Sequence, residues 1–191
     1  MTNGCCCCGC GKKEEGVTLK NLIAAYNGES NASAKYAVYS EKAKSEGYLG
    51  LAALFAAASK AETLHAARHA RVIKALGGEA VAEIATYEGK SIEEMLKDAI
   101  AGETEEFTHM YPGFIADAEK EGQAAAIASF KGALEAEVVH ARLYTEALEN
   151  TEAWKAERAF YVCSICGWTE EGQAPEKCPI CGVSAEKFLK F

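Results

Sequence analysis

Four long stretches of the chain repeat apolar residues every three to four positions, the spacing that places them on one face of an α-helix. The predicted helices cover Thr18–Glu46, Tyr48–Leu76, Ser91–Glu121 and Gln123–Glu149. Ser91 and Glu94 have the spacing of a capping box, which marks the start of the third helix. Abundant alanine and glutamate, with only three prolines, also favour long helices.

The connections between these helices differ in length. The first two helices are separated only by a break at EGY and the last two by a break at EGQ, so each pair is expected to form an antiparallel hairpin. The segment GGEAVAEIATYEGK between the hairpins is long enough to cross a bundle. The predicted fold is therefore mainly α, a ferritin-like four-helix bundle with one long crossover.

The two predicted hairpins resemble each other in sequence. The segment Glu62–His65 reads ETLH, and Glu137–His140 reads EVVH 75 residues later. The same offset relates Tyr36 to Tyr111, Tyr39 to Phe114, and Phe55 to Phe130. Glu29 matches Glu103 at an offset of 74, so one residue must be inserted after Glu103. This self-similarity predicts a duplicated helical hairpin.

Charge and length restrict the class of protein. The chain has 191 residues and a net charge of −8, which argues against nucleic acid or an anionic membrane as a partner, because both require basic patches. No apolar run reaches the roughly 18 residues that a spanning helix needs. No secretory signal is visible at the N-terminus, so the predicted location is cytoplasmic.

The repeated Glu-x-x-His pairs lie on the apolar stripes of their helices. Glu62 and Glu137 each follow a phenylalanine by seven residues, so these pairs are expected to be buried. One such pair alone would be interpreted as an exposed ion pair. Two pairs in register favour a metal site, because a bound ion compensates the cost of burying carboxylates beside imidazoles. Glu29 and Glu103 complete the ligand set of carboxylate-bridged di-iron bundles, for which iron or manganese is suitable.

Three other residues near these positions have less specific patterns. His69 follows His65 by four residues, but its repeat counterpart is Tyr144, so we interpret it as a packing residue or a neighbour of the ligands. His109 has no histidine counterpart and is expected to be exposed. Glu105 lies about 200° round the helix from Glu103 and is expected to face water.

The C-terminal part of the chain contains two C-x-x-C pairs, each followed by glycine. Cys163, Cys166, Cys178 and Cys181 predict a tetrahedral site for iron or zinc. Because about forty residues cannot build a core unaided, the metal is expected to hold this unit together. The predicted domains are a bundle over residues 16–155 and a four-cysteine unit over residues 156–191.

These motifs together resemble the rubrerythrin family. The resemblance covers residues 16–191 and rests on GES, ETLH, GETEE before MYP, EVVH, and the rubredoxin-like YVCSICGW and CPICG. It implies a non-haem di-iron peroxidase that reduces hydrogen peroxide to water as a defence against oxidative stress. It further implies one rubredoxin-type iron, for which zinc can substitute, supplied with electrons by an NAD(P)H-linked reductase or a rubredoxin.

The resemblance also implies roles for individual residues. Glu62 and Glu137 would bridge the two irons, Glu29 and Glu103 would be terminal ligands, and His140 would bind the second iron. The first iron would exchange between His65 and Glu106 as its oxidation state changes. The residues with implied catalytic roles are Glu106, His65, Tyr36 and Tyr111, the two tyrosines lying next to the ligands. For Tyr36, core packing accounts for the sequence equally well.

The resemblance leaves three matters open. It implies at least a homodimer, and the crossover is long enough for helix pairs to be exchanged between chains. A ferritin-like ferroxidase or iron-storage protein and a zinc-bound scaffold are the alternative functions. The N-terminal segment over residues 1–15 departs from the family pattern, and we expect its cysteines to form a flexible tail rather than a third metal site. These cysteines are Cys5, Cys6, Cys7, Cys8 and Cys10.

Overall fold

A computed structural model describes residues 16–191. The N-terminal cysteine cluster lies outside the described residues. The helices are α1 (Val17–Ser45), α2 (Leu49–Ala75), α3 (Ile92–Glu105), a π-helix (Glu106–Met110), α4 (Tyr111–Lys120) and α5 (Ala124–Glu149). The mainly helical prediction is therefore confirmed, and the four predicted helices begin and end within one residue of the observed ones.

The third predicted helix differs from the prediction in its interior. A continuous α-helix was expected up to Glu121, but a five-residue π-helix separates α3 from α4. A π-helix holds one more residue per turn than an α-helix, so it accommodates a single inserted residue. This residue accounts for the change in repeat offset from 74 at Glu103 to 75 at Tyr111.

The two hairpin turns are built in the same way. Gly47 and Gly122 have φ values of +83° and +67°, a left-handed conformation that ends a helix and that glycine adopts without a steric penalty. The amide of Tyr48 donates to the carbonyl of Ala43 at 2.9 Å, and the amide of Gln123 donates to the carbonyl of Ala118 at the same distance. The duplicated pattern therefore includes the turns.

Side-chain caps fix the helix starts and the crossover. The predicted capping box is present, with the amide of Glu94 donating to Ser91 Oγ at 3.3 Å and the Ser91 amide donating to Glu94 Oε2 at 3.1 Å. The crossover is held against α1 by Asn31, whose Nδ2 donates to the carbonyl of Glu83 at 2.9 Å and whose Oδ1 accepts from the amide of Ala85 at 3.0 Å.

Two apolar clusters form the core of the bundle. One contains Tyr36, Phe55 and Leu143, and the other contains Leu22, Ile73 and Phe130. On each helix the predicted metal ligands lie between the residues that contribute to the two clusters. The apolar packing therefore encloses the ligands from both ends of the bundle. Among the described helices, none has the length and apolar character needed to cross a membrane.

A small three-stranded sheet follows the bundle. Its strands are β1 (Phe160–Cys163), β2 (Thr169–Glu171) and β3 (Phe188–Lys190), antiparallel in the order β2-β1-β3. Short 3₁₀ helices cover Thr151–Lys155 and Ala185–Lys187. Phe160 stacks on Trp154 with ring centroids 6.2 Å apart, and both side chains join the first apolar cluster of the bundle. The sheet is thereby packed directly against the helices that hold the predicted ligands.

Candidate metal centre

Six of the predicted ligands meet in the middle of the bundle. Each is at most 2% exposed. Their donor atoms form two groups, within each of which the atoms lie within 4.8 Å of one another. The first group is Glu29, Glu62, His65 and Glu137, and the second is Glu62, Glu103, Glu137 and His140. Glu62 and Glu137 belong to both groups, as residues that bridge two ions would.

Several polar atoms of this cluster have no hydrogen-bond partner. The buried atoms without a hydrogen bond are Glu29 Oε2, Glu62 Oε1, Glu103 Oε2, both carboxylate oxygens of Glu137, and His140 Nδ1. An unpaired buried carboxylate costs several kcal/mol, and two divalent cations would compensate that cost. The donor set therefore fits a pair of ions, and its mixture of carboxylate oxygen and imidazole nitrogen suits iron or manganese.

The carboxylates perturb each other in the absence of metal. Burial, followed by the charges of Glu106, Glu137 and Glu62, raises the pKa of Glu29 well above its usual value. Burial also raises the pKa of Glu103 to about 7, although the nearby His140, whose Nδ1 lies 3.7 Å from Glu103 Oε2, opposes the change. Metal ions that bind to these carboxylates would therefore displace protons.

Two members of the cluster have pKa values determined by ion pairing. Burial alone would raise the pKa of Glu62, but His140 and His65 lower it to about 2. Burial alone would lower the pKa of His65, but Glu137, Glu62 and Glu29 raise it well above its usual value. Glu62 and His65 therefore form an ion pair, with Nδ1 2.9 Å from Oε2.

The four-cysteine unit contacts both histidines that are predicted ligands. His65 Nε2 lies 3.0 Å from the carbonyl oxygen of Cys166, and His140 Nε2 lies 2.9 Å from Thr169 Oγ1. The carbonyl can only accept, and the Thr169 hydroxyl donates to the carbonyl of Gly167 at 3.2 Å. Both Nε2 atoms therefore carry hydrogen, and in the neutral rings the lone pair lies on Nδ1, which faces the carboxylates. Such outer contacts orient metal-binding imidazoles.

Each terminal carboxylate receives a hydrogen bond from a tyrosine of the other hairpin. The Tyr36 hydroxyl donates to Glu103 Oε1, and the Tyr111 hydroxyl donates to Glu29 Oε1. Burial and the nearby glutamate charges raise the pKa of both tyrosines, so both phenols keep their protons. One oxygen of each carboxylate is thereby occupied, and the other remains available for a metal ion.

Glu106 lies beside this cluster without belonging to either donor group. It is partly exposed and begins the π-helix. Burial of its carboxyl group and the charges of Glu103, Glu137 and Glu62 raise its pKa well above the usual value. The adjacent Glu105 points to solvent and pairs with His109 Nδ1 at 3.1 Å, with side chains 67% and 73% exposed. The predictions that Glu105 and His109 are exposed are confirmed.

His69 is buried next to Tyr111. Its Nε2 lies 3.2 Å from the Tyr111 hydroxyl, and its Nδ1 lies 2.9 Å from Ser129 Oγ. Burial, with the charges of His65 and Arg68, lowers the pKa of His69 to about 3, so the ring is neutral. Sequence reasoning gave His69 two alternatives and did not detect Ser129, Thr169 or the Cys166 carbonyl. The repeat contains no signal for these groups because their counterparts differ or do not exist.

The second candidate site is formed by the four cysteines. Cys163 Sγ and Cys181 Sγ are 3.5 Å apart, as are the Sγ atoms of Cys166 and Cys178. A tetrahedron with metal–sulfur bonds of about 2.3 Å has sulfur–sulfur edges of about 3.8 Å, which is close to these distances. All four thiols lie within 4.8 Å of one another, and only Cys181 among them is exposed. These thiols fit one iron or zinc ion.

Comparisons with known proteins match both parts of the chain. The Rubrerythrin family model matches residues 20–148, and the model for the rubrerythrin rubredoxin-like domain matches residues 161–189. Rubrerythrin-2 of Clostridium acetobutylicum is 34% identical over 92% of this chain and 97% of its own length. Nigerythrin of Nitratidesulfovibrio vulgaris is 37% identical over 94% of this chain and 89% of its own length.

Solved structures give the same picture at the level of the fold. The structure of fully reduced nigerythrin, with all irons ferrous, superposes with a TM-score of 0.85 at 34% identity, covering 96% of this chain and 91% of the other. A Desulfovibrio desulfuricans bacterioferritin has a TM-score of 0.66 at 22% identity, covering 71% of this chain and 80% of the other. The second likeness concerns only the ferritin-like fold of the bundle.

Proposed function

The chain belongs to the rubrerythrin family, and on that premise we propose that it is a non-haem di-iron peroxidase that reduces hydrogen peroxide to water. Each turnover consumes one peroxide molecule, two electrons and two protons and releases two water molecules. Two irons held by the six buried carboxylates and imidazoles would supply the two electrons for this cleavage, and an iron held by the four cysteines would return them one at a time.

The proposed ligands follow the two donor groups. Glu62 and Glu137 would bridge the ions, since they alone belong to both groups. Glu29 and His65 would complete the ligands of one ion, and Glu103 and His140 those of the other. Glu106 is proposed as the ligand that exchanges with His65. Its position next to Glu103, outside both donor groups, supports a carboxylate that binds in one state only.

The surrounding residues prepare the site for this chemistry. Tyr36 and Tyr111 hold one oxygen of each terminal carboxylate, so the remaining oxygen is oriented before metal binds. The two apolar clusters exclude water from both ends of the group of proposed metal ligands. Preorganised, dry surroundings of this kind strengthen the electrostatic interactions in the site.

The position of the four-cysteine unit is the observation that carries the peroxidase proposal. The carbonyl of Cys166, whose thiol is a predicted ligand, accepts a hydrogen bond from His65. The second predicted metal is thereby connected to the first site by one backbone group and one imidazole. An iron-storage bundle needs no such connection, whereas a peroxidase must replace two electrons in every turnover.

The proposed setting supplies those electrons from outside the chain. An NAD(P)H-linked reductase or a rubredoxin would donate to the four-cysteine iron at Cys181, the exposed ligand. The proposal places the protein in the cytoplasm as at least a homodimer, with residues 16–155 as the bundle domain and residues 156–191 as the rubredoxin-like domain. Zinc in the four-cysteine site would preserve its structure and abolish electron transfer.

A single-turnover experiment tests the proposal. The iron-loaded protein is reduced without oxygen and mixed with one equivalent of hydrogen peroxide in a stopped-flow spectrometer. We expect rapid loss of the ferrous state of the bundle, followed by oxidation of the four-cysteine iron, which turns from colourless to red. Protein loaded with zinc in the four-cysteine site is the control, and its bundle should oxidise without a second phase. Rapid oxidation by oxygen but not by peroxide would contradict the peroxidase proposal and support a ferroxidase.

A further inference from the structure

Glu29 and Glu103, the two proposed terminal ligands, have equivalent hydrogen-bond partners only as far as the tyrosines. Tyr36 donates to Glu103 across the bundle, and Tyr111 donates to Glu29 in the mirrored arrangement. Both tyrosines are fully buried, and they occupy equivalent positions of the internal repeat. To this point Glu29 and Glu103 have equivalent hydrogen-bond partners.

Beyond the tyrosines the symmetry ends. Behind Tyr111 lies His69, and behind His69 lies Ser129. The repeat counterpart of His69 is Tyr144, whose buried hydroxyl has no hydrogen-bond partner, and the counterpart of Ser129 is the apolar Leu54. A chain of hydrogen bonds therefore continues outward from Glu29.

The hydrogen positions in this chain follow from the number of donors. Tyr111 has one hydroxyl hydrogen, which it donates to Glu29, so its oxygen must accept from His69 Nε2. With the ring hydrogen on Nε2, the lone pair lies on Nδ1, which accepts from Ser129 Oγ at 2.9 Å. Every bond thus points from Ser129 towards Glu29. Hydrogen bonds aligned in this way polarise and strengthen one another.

We propose that His69 and Ser129 are positioning residues that act through Tyr111 to fix Glu29, and so strengthen metal binding at only one of the two bundle positions. The inference rests on the proposed function only in taking Glu29 as a metal ligand, and it does not depend on peroxidase activity. A carboxylate held by an aligned chain keeps its free oxygen, Glu29 Oε2, directed at the cluster. The other position lacks this support beyond Tyr36.

A metal titration that does not use activity tests this inference. Protein with zinc in the four-cysteine site and an empty bundle is titrated with Co²⁺, followed by calorimetry and visible absorption. The wild-type bundle should take up two Co²⁺ ions per chain. His69→Leu should weaken one of the two binding steps by about 10- to 100-fold and leave the other unchanged. Ser129→Ala, which removes only the end of the chain, should weaken the same step by less.

Three further variants separate positioning from packing. Tyr144→Phe removes the hydroxyl at the symmetry-related place and should change neither step. His69→Gln retains a donor for Tyr111 and an acceptor for Ser129, so it should restore most of the lost affinity. Because His69 acts through Tyr111, the double variant Tyr111→Phe/His69→Leu should bind Co²⁺ like Tyr111→Phe alone.

The outcomes distinguish this inference from the proposed function. Failure of the wild-type bundle to bind two ions would contradict the metal site itself. Two ions in the wild type, with equal weakening of both steps or of neither in His69→Leu, would overturn the positioning role. Additive losses in the double variant would overturn it as well. Should His69→Leu fail to fold, His69→Gln and Ser129→Ala decide the question on the same titration.

Discussion

At the scale of single residues, Glu105 and Glu106 show how one position along a helix changes the role of a carboxylate. Glu105 lies in solvent beside His109, whereas the carboxyl group of Glu106 is surrounded by Glu103, Glu137 and Glu62. The proposed exchange of Glu106 with His65 would give the protein a carboxylate that binds only one oxidation state.

Replacing this carboxylate should affect turnover more than metal content. We expect Glu106→Ala to retain two irons in the bundle, because six predicted ligands remain, and to slow peroxide turnover by about tenfold, equivalent to about 1.4 kcal/mol of barrier. Iron analysis and stopped-flow oxidation measure the two effects. Glu105→Ala is the matched control and should change neither. Unchanged turnover in Glu106→Ala would remove the exchange role.

Thr169 gives a second prediction at this scale. Its hydroxyl accepts a hydrogen bond from His140, and Thr169→Val would leave that buried donor without a partner. Loss of such an outer contact typically weakens metal binding by about 10- to 100-fold. Thr169→Ser keeps the hydroxyl and should bind Co²⁺ like the wild type. Equal Co²⁺ affinity in both variants would show that the contact does not orient His140.

At the scale of elements, the helices were predictable and the π-helix was not. Alanine-rich apolar stripes and the glycines at positions 47 and 122 specify where helices run and end. The repeat showed that a residue was inserted between Glu103 and Tyr111. Helix propensities alone cannot distinguish a π-helix at this place from a local shift in the alignment of the two repeats. The grouping of the six carboxylates and imidazoles was predictable for the same reason, because each lies at a repeated position on an apolar stripe.

Contacts between the two parts of the chain were beyond sequence reasoning. Thr169 and the Cys166 carbonyl contact the histidines from a unit that has no counterpart in the repeat. A contact made by a backbone carbonyl also cannot be predicted from the residue type, because every residue has one. Ser129 was missed because one serine in an alanine-rich helix predicts nothing specific. Which of the grouped residues bind metal stays a prediction.

The π-helix can be removed by deleting one residue. Glu29 and Tyr36 are seven residues apart, which keeps both side chains on one face of an α-helix. Deletion of the exposed Thr108 gives Glu103 and Tyr111 the same spacing. We expect the variant to fold and bind two irons but to misplace Glu106, with turnover reduced about tenfold, as in Glu106→Ala. Circular dichroism, iron analysis and stopped-flow oxidation give the result; wild-type turnover would contradict a role for the π-helix.

At the scale of the whole molecule, the close approach of the two metal units depends on Gly167. This residue has a φ of +82°, and a Cβ atom there would lie 2.2 Å from His65 Nε2. Any side chain at this position would push the four-cysteine unit away from the bundle. The short distance between the two proposed centres therefore requires a glycine at position 167.

A matched pair of glycines tests this dependence. Gly167→Ala and Gly172→Ala both place a side chain at a left-handed φ, at a cost of about 1–2 kcal/mol each, but a Cβ at Gly172 meets no atom within 4 Å. We expect only Gly167→Ala to slow oxidation of the four-cysteine iron after peroxide is added. Equal rates in the two variants would show that the contact at His65 does not determine the transfer.

Metal removal should make stability depend on pH. Without metal, burial and the neighbouring carboxylates raise the pKa of Glu29. Burial alone would lower the pKa of His140, but Glu62 and the other carboxylates outweigh it and raise that pKa. Groups with raised pKa values hold more protons in the folded chain than in the unfolded chain. Their contribution to stability is present below the unfolded pKa and is lost as pH rises through the folded pKa.

The Tm of chelated protein should therefore fall, relative to that of iron-loaded protein, as pH rises above 4.5, the ordinary pKa of glutamate, and further above 6.5, that of histidine. Bound ions displace these protons, so the loaded protein should not show this slope. Thermal unfolding of both forms across this range provides the comparison. A constant difference in Tm between the two forms would mean that the cluster does not retain protons when empty.

A three-nucleotide insertion in one half of a duplicated gene is enough to produce the extra residue of the π-helix. The helix confines the disturbance to one turn, so no compensating change is required elsewhere in the coding sequence. The second half then contains one codon that the first half lacks, and selection can act on that codon. Among homologous chains, a glutamate at the place of Glu106 should be inherited together with the inserted codon, and chains without the insertion should lack it.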